Sequence, residues 1–318
     1  MPIRTRPRAL SALLPLVITT LISAGCQDDS ATGPGPQPLP SFDLVFEETS
    51  AVGLNSDRLM VRRLDDAVSV PLFGTQVLGG NPSPSADGAR VIFVGSRDGD
   101  TDDVQDLFVV GRDAPPQRIP LAAGTESSPT LSPDGTRVAY IKRGADAVGR
   151  LYVARVDGSS EAAVPIALAP GLSYAYAYPA WSPDGSTLLF SAGAPGNLHL
   201  FSARADGAGL RQLTTGAESD TEGAWSPDGR SVAFVRGTSP ARTVLMTKEL
   251  ASGVERAFDF PWRNRSPSWS PDGERIAFAS NMADNLDYEL YVVRVDGSAL
   301  QRLTNDELQQ RAPRWIRR

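Results

Sequence analysis

The sequence predicts an all-β fold, a six-bladed β-propeller with four antiparallel strands per blade. Three observations lead to this prediction. A five-residue turn motif recurs along the chain, and 29 glycines and 26 prolines in 318 residues disfavour long helices. In addition, the two ends of the repeat region supply complementary parts of a single blade. Hydrophobic residues make up 41 % of the chain, which is enough for a packed core.

The motif is Trp-Ser-Pro-Asp-Gly at 181–185, 225–229 and 269–273, with variants at 131–135 and 84–88. Proline presets φ for a turn, aspartate can bond the turn backbone, and glycine accepts positive φ. An apolar triplet ending in an aromatic residue follows each turn, as in 276–278. The pattern therefore predicts a turn between the first and second strands of each blade.

Two further strands follow in each repeat. The third is clearest at 151–158 and 290–297, and an outer fourth strand follows at 211–214 and 301–304. Four short strands in a period of about 45 residues are typical of a propeller blade.

The ends of the repeat region predict how the ring closes. Residues 42–46 and 59–66 match second and third strands with no first strand before them, whereas 312–318 match a first strand with nothing after it. We expect Trp315 and its neighbours to complete the N-terminal blade, which gives six blades over residues 41–318 and leaves no unpaired edge there.

The first forty residues predict export and anchoring. Arg4, Arg6 and Arg8 precede an apolar run at 9–24, the order of a secretory signal. The ending of this run resembles a bacterial lipobox, which implies cleavage after residue 25 and lipidation of Cys26. Residues 26–40 are rich in proline and glycine and predict an extended tether. Gln27, in place of an aspartate after the cysteine, implies the outer membrane, facing the periplasm or the cell surface.

The repeats resemble those of the TolB-type six-bladed propeller, on the turn motif, the apolar-aromatic strand and the Leu-Tyr-Val strand quoted above. The resemblance covers nearly everything after the tether, without the separate α/β domain that precedes the propeller in TolB. It implies the fold and a partner-binding role at the loops around the central channel. Function is only loosely implied, because the same repeat occurs in translocation proteins, peptidase accessory domains and lyases.

Composition removes several kinds of chemistry. A single cysteine excludes an internal disulfide, and His199 as the only histidine excludes a multi-histidine zinc centre. The net charge is −6 and there is no basic block, so nucleic acid is not expected as a partner. No nucleophile elbow, phosphate loop or dinucleotide motif is present in the sequence. No catalytic residue, metal ligand or cofactor is predicted.

One acidic run leaves calcium open as an alternative. Asp98, Asp100, Asp102 and Asp103 offer the alternate carboxylates that suit Ca²⁺, yet the run lacks the glycine and the final glutamate of an EF-hand loop. The repeated tryptophans and the turn aspartates are interpreted as packing and turn residues. The alternating Tyr174, Tyr176 and Tyr178 either pack in the core or approach the channel.

Two classes of function remain. The first is a non-catalytic, monomeric, lipid-anchored scaffold that binds an envelope protein or peptide. The second is a propeller enzyme or accessory domain acting on envelope glycans or peptides. Under the first, the candidate partner-binding side chains lie where second strands join third strands and where one blade leads to the next. They are Asp98, Asp100, Asp102, Asp103, Asp220, Glu222, Asp284, Asp287, Asp306, Tyr174 and Tyr176.

Overall fold

The computed structural model describes residues 43–49, 57–72, 78–95, 105–111, 114–146, 148–168, 178–194, 196–239, 242–283, 287–306 and 308–316. The predicted leader, Cys26 and the tether lie outside these residues. The described residues form six four-stranded antiparallel sheets, so the six-bladed propeller predicted from the repeats is confirmed.

The strands of each blade run outward from an innermost strand at the hub of the ring. Blade 1 contains β24 (Gln309–Trp315), β1 (Leu44–Thr49), β2 (Arg58–Arg62) and β3 (Val70–Pro71). Blade 2 contains β4 (Gly80–Pro84), β5 (Arg90–Gly95), β6 (Asp106–Gly111) and β7 (Ala114–Arg118). Blade 3 contains β8 (Thr125–Leu131), β9 (Arg137–Arg143), β10 (Gly149–Arg155) and β11 (Ala162–Ala163).

The remaining three blades follow the same order. Blade 4 contains β12 (Ala180–Trp181), β13 (Thr187–Ala194), β14 (Asn197–Arg204) and β15 (Arg211–Gln212). Blade 5 contains β16 (Ser219–Trp225), β17 (Ser231–Ser239), β18 (Arg242–Glu249) and β19 (Glu255–Phe258). Blade 6 contains β20 (Asn264–Trp269), β21 (Arg275–Ser280), β22 (Glu289–Arg294) and β23 (Gln301–Arg302).

The ring closes as the chain ends predict. β24 pairs antiparallel with β1, with Leu44 opposite Trp315 and Thr49 opposite Gln309. One more backbone bond, from the Ile316 N–H to the Asp43 carbonyl at 2.9 Å, extends this pairing. The first and last described strands of the chain therefore belong to one sheet.

The hydrophobic core is divided among the interfaces between blades. Six clusters of buried side chains each join residues of two neighbouring blades, so every blade is packed on both faces. The aromatic residue that ends each apolar triplet is at most 2 % exposed. These aromatic residues are Phe93, Tyr140, Phe190, Phe234 and Phe278. The alternation of the second strand thus places the largest side chain at the blade interface.

The Trp-Ser-Pro-Asp-Gly motif forms the predicted turn, and its serine has a role that the sequence did not reveal. In blade 5, the Ser226 hydroxyl donates to Asp228 Oδ1 at 2.6 Å and accepts the Ser231 N–H at 2.9 Å. Asp228 also accepts the Arg230 N–H at 3.0 Å, and Gly229 has a φ of 70°. The same Ser–Asp bond occurs in the other four motif turns. The hydrogen bond from the Ser226 hydroxyl is the main cause that holds the pKa of Asp228 below its usual value, and the hydrogen bond from the Arg230 N–H adds to it.

Replacing this serine is expected to destabilise the fold more than replacing an exposed neighbour. Ser226→Ala removes two hydrogen bonds of a buried hydroxyl and should lower the free energy of unfolding by about 1–2 kcal/mol. Urea denaturation at neutral pH measures it, with Arg230→Ala as the exposed control in the same turn. Because the pKa of Asp228 is lowered on folding, its contribution should be lost as the pH falls below about 3.8. Equal destabilisation by both variants would contradict this role.

Candidate functional site

A cavity of about 230 Å³ lies at the hub of the ring, lined by residues from the first strands of all six blades. The turn prolines Pro133, Pro183, Pro227 and Pro271 also line it. The cavity therefore lies towards the end of the propeller that carries the motif turns. The loops between second and third strands lie at the opposite end, because consecutive strands are antiparallel.

A β-bulge recurs in the inner strands and shapes the hub. In each bulge, pairing with the second strand skips two residues and the first of them has positive φ. These residues are Asn81, Ser128, Glu222, Ser266 and Ala312, with φ between 48° and 56°. Non-glycine residues in this region carry a backbone cost of about 1 kcal/mol or more each. The ring therefore maintains a strained position at the same place in five blades.

Two carboxylates bond these bulges to the neighbouring blade. Glu222 Oε2 accepts the Ser266 N–H at 2.6 Å and the Ser266 hydroxyl at 3.1 Å. Glu47 Oε2 accepts the Asn81 N–H at 3.0 Å. Both acceptors satisfy an N–H that the bulge removes from the strand ladder. This function of Glu222 and Glu47 was not predicted, because the bulge has no marked sequence signature in blade 5.

The ionisable side chains of the cavity come from three blades. Arg314 of blade 1, Tyr178 of blade 4 and Glu222 of blade 5 all line it. The charge of Glu222, and then burial, raise the pKa of Tyr178 to about 12. Burial lowers the pKa of the Arg314 guanidinium below its usual value, although the charge of Glu222 opposes this shift. Burial and the charge of Glu222 therefore both act on the ionisable groups of the hub.

The repeated tryptophans pack between blades, as their recurrence at one repeat position predicts, and also line the cavity. Trp225 Nε1 donates to the Ala180 carbonyl at 3.2 Å, and Trp315 Nε1 donates to the Ser268 carbonyl at 2.9 Å. Trp181 is 7 % exposed, and the Arg137 guanidinium lies 4.4 Å from its ring centroid. The indole rings consequently form much of the apolar wall of the hub.

Asp220 and Glu222 differ from their predicted positions. Asp220 is wholly buried in β16 and forms two hydrogen bonds with Arg236, at 2.7 and 3.0 Å. Its carboxylate therefore has a structural role and does not face a partner. Glu222 lies in the bulge of the same strand and faces the hub. Sequence reasoning placed both in a loop because it began the inner strand too late.

The other predicted binding residues fall into two groups. Asp306 is exposed at the loop end and accepts the Leu308 N–H and the Gln310 side-chain amide, and Asp287 is partly buried. The rest lie outside the described residues. They are Asp98, Asp100, Asp102, Asp103, Asp284, Tyr174 and Tyr176. Of the three alternating tyrosines, the structure describes Tyr178, which reaches the hub.

A second group of titratable side chains, all from blade 3, is buried away from the hub. Lys142 Nζ lies 2.5 Å from Glu161 Oε1 and 3.8 Å from Glu126 Oε1. Burial raises the pKa of Glu126 to about 7, against the opposing charge of Lys142. A raised pKa can mark a catalytic carboxyl group, but Glu126 is 2 % exposed and lines none of the described cavities. We assign this group to the core.

The raised pKa of Glu126 predicts a pH-dependent stability. The unfolded carboxyl ionises near 4.5 and the folded one near 7, so this group destabilises the fold progressively as the pH rises between those values. Glu126→Gln should therefore gain stability relative to the wild type from about pH 5 to about pH 8. Urea denaturation at both pH values measures it, with the exposed Glu274→Gln as control. A constant difference across this range would contradict the assignment.

Metal-binding clusters and membrane-spanning helices are both absent from the described residues. No group of three or more His, Cys, Asp or Glu side chains there is arranged to hold a metal ion. In the same part of the chain, no helix is long and apolar enough to cross a membrane.

Comparison with known proteins finds propellers that are similar to this chain. The family model described as the TolB beta propeller domain matches residues 116–241. A TolB from Acinetobacter baumannii superposes with a TM-score of 0.73 at 16 % identity, over 87 % of this chain and 67 % of that one. A TolB protein from Agrobacterium tumefaciens gives 0.64 at 16 % identity, over 87 % of this chain and 99 % of that one.

Enzymes contain similar propellers. A puromycin-hydrolysing peptidase from Mycobacterium tuberculosis gives a TM-score of 0.55 at 16 % identity, over 83 % of this chain and 45 % of that one. At such identities the likeness is one of fold. Residues 116–241 match the TolB beta propeller domain, and the described residues form a closed ring of six blades, the fold that these structures share.

Proposed function

We propose that this protein is an exported, lipid-anchored, non-catalytic envelope protein whose propeller binds a protein or peptide partner. The observation that carries the proposal is the hub cavity, whose walls of tryptophan and proline also present Arg314, Tyr178 and Glu222. Cavities of this composition are typical of binding sites. The likeness to TolB propellers supports a scaffold role, and the leader with its single cysteine supports export and anchoring.

The anchor is tested at Cys26. Cys26→Ala should move the protein from the membrane fraction to a soluble exported fraction, because two or three acyl chains anchor firmly whereas the bare propeller has none. Cell fractionation and mass spectrometry of the mature N-terminus measure it. An unmodified Cys26 on the mature wild-type protein would reject lipidation. Separation of the inner and outer membranes tests the outer-membrane location expected from Gln27.

The partner is sought by photo-crosslinking from both ends of the propeller. Arg230 and Glu274 are exposed at the turn end, and Glu218 and Asp306 are exposed at the loop end. A photoreactive residue at each position, introduced in cells, should capture a specific envelope protein from one end and not from the other. The loop residues Asp102 and Asp287 remain candidates for this contact. Absence of any specific adduct from both ends would reject the scaffold function.

The alternative is an accessory domain for an enzyme that acts on envelope peptides or glycans. It is favoured by the likeness to the puromycin-hydrolysing peptidase, of which this chain covers 45 %. Peptide or glycan hydrolysis by the purified full chain, lost in a hub variant such as Glu222→Gln, would support it over the scaffold.

A further inference from the structure

One position of the inner strands differs in charge from its equivalents in the other blades. The residue directly before the first residue of the turn motif is small in five blades, where it is serine, threonine or alanine. These residues are Ser83, Thr130, Ala180, Ala224 and Ser268. In blade 1 the same position is Arg314, and its side chain lines the hub. Blade 1 therefore has a long cationic side chain at a position where the other five blades have a small residue.

Arg314 has hydrogen-bonding capacity that the fold does not use. Its Nη1 donates to the Pro313 carbonyl at 3.0 Å and approaches the Ser266 carbonyl at 3.5 Å. Among the described residues no carboxylate lies within 4 Å of its guanidinium, and Glu222 is already bonded to Ser266. The Nε and Nη2 edge is thus left without a protein acceptor in the described chain. That edge is the fork that holds a carboxylate through two parallel hydrogen bonds.

The surroundings of Arg314 limit what could meet it. The cavity volume of about 230 Å³ suits one or two residues and is too small for a folded domain. The hydroxyls that line the hub are largely engaged within the fold. Ser83 accepts the Leu131 N–H, and Ser268 accepts the Trp315 N–H. A ligand that enters therefore meets walls of tryptophan and proline, the Arg314 guanidinium, the Tyr178 hydroxyl, and a Glu222 carboxylate that already accepts two hydrogen bonds from Ser266.

We propose that the turn end of the hub binds a carboxylate of an extended peptide, which Arg314 holds through its free guanidinium edge. This inference rests on the proposed scaffold function and specifies its ligand. The carboxylate is an Asp or Glu side chain or a free C-terminus, since the guanidinium fork fits each of them. A sugar acid fits less well, because Ser83 and Ser268 already accept backbone N–H groups and leave few partners for its many hydroxyls. We expect the acidic group to bind only beside Arg314, because the net charge of −6 disfavours binding of an acidic peptide to the rest of the protein.

The five tryptophans provide the test. Trp181, Trp225, Trp269 and Trp315 line the cavity, whereas Trp262 is 42 % exposed and does not line it. The purified full chain with ¹⁵N-labelled indoles is titrated with acetyl-Ala-Leu-Asp-Leu-Ala-amide. Three further compounds are titrated in parallel. They are the same peptide with Asn in place of Asp, the peptide acetyl-Ala-Leu-Ala-Leu-Ala with a free C-terminus, and trigalacturonate. We expect the carboxylate peptides to shift indole signals of the four hub tryptophans and to leave Trp262 unchanged. The Asn peptide should shift none of them.

Variants at Arg314 complete the test. Arg314→Gln should weaken binding of the acidic peptide about tenfold or more. The affinity of Arg314→Lys should lie between those of the wild type and Arg314→Gln, because lysine keeps the charge but lacks the two parallel donors of the guanidinium. Five dispersed indole signals establish that a variant is folded. If Arg314→Gln does not fold, the peptide affinity of Arg314→Lys is the measurement that tests the role of Arg314. Equal binding of the Asp and Asn peptides, unchanged binding by a folded variant, or binding of trigalacturonate alone would overturn the inference. An adduct captured from the loop end with no peptide bound at the hub would overturn it while leaving the scaffold function intact.

Discussion

Deletion of residues 312–318 is expected to lower the free energy of unfolding by on the order of 5 kcal/mol. The deletion removes Trp315 and Ile316, which pack against the clusters on either side of blade 1. It also breaks the pairing of Leu44 and Val45, two wholly buried residues, with the inner strand. Since domains are stable by about 5–15 kcal/mol, a loss of this size uses much of the total.

Thermal denaturation followed by circular dichroism measures this loss, and the midpoint should fall by about 10 °C or more. Trp315→Phe is the matched control, because it keeps the strand and the ring and removes only the indole bond to Ser268. It should cost about 1 kcal/mol. A deletion variant as stable as the control would mean that β24 does not hold the ring closed.

Lys142→Met is expected to lower the free energy of unfolding by about 3 kcal/mol or more at neutral pH. The Lys142 ammonium donates to Glu161 and to the Ala122 carbonyl at 2.6 Å, in a site where its side chain is 7 % exposed. Burial raises the pKa of Glu161, but the hydrogen bonds from Lys142 and Ala122 outweigh it and hold this pKa below its usual value. Without the lysine, two carboxyl groups would remain buried together.

The only other lysine in the chain is the control. Lys248 lies 3.0 Å from Glu255 with both side chains partly exposed, and Arg236 also binds Glu255. Lys248→Met should therefore cost less than about 1 kcal/mol. The cost of Lys142→Met should also shrink as the pH falls and the carboxyls are protonated. Similar costs for the two variants, measured in urea, would show that burial of the Lys142 cluster matters less than we infer.

The sequence predicted the blades and their closure because each blade repeats the same turn. Pro183, Asp184 and Gly185 carry the turn chemistry, and this information recurs along the chain. The surplus strand at one end and the missing strand at the other then left a single way to close the ring. Local residue patterns thus sufficed for most of the fold.

The candidate site was less predictable because it depends on where inner strands bulge. The positive φ of Glu222 arises where its strand bulges in pairing with β17, and no residue type in blade 5 predicts that bulge from the sequence. Asp220 was placed in a loop because an acidic residue next to a turn region usually faces water, whereas here Arg236 neutralises it inside the sheet. Arg314 was passed over since its difference from the other blades appears only when the inner strands are aligned.

The pairing of β24 with β1 has a consequence for the order of folding. Val45 meets Arg314 across roughly 270 residues of chain, so this contact has the high sequence separation that slows folding through the entropy of loop closure. Blades 2 to 6 are each built from one continuous segment and can form from local hairpins. Blade 1 must wait for the last strand to be synthesised and brought back. Until then the strand that contains Leu44 has an unpaired edge. We therefore expect the incompletely folded chain to be sensitive to aggregation and to proteolysis at this edge.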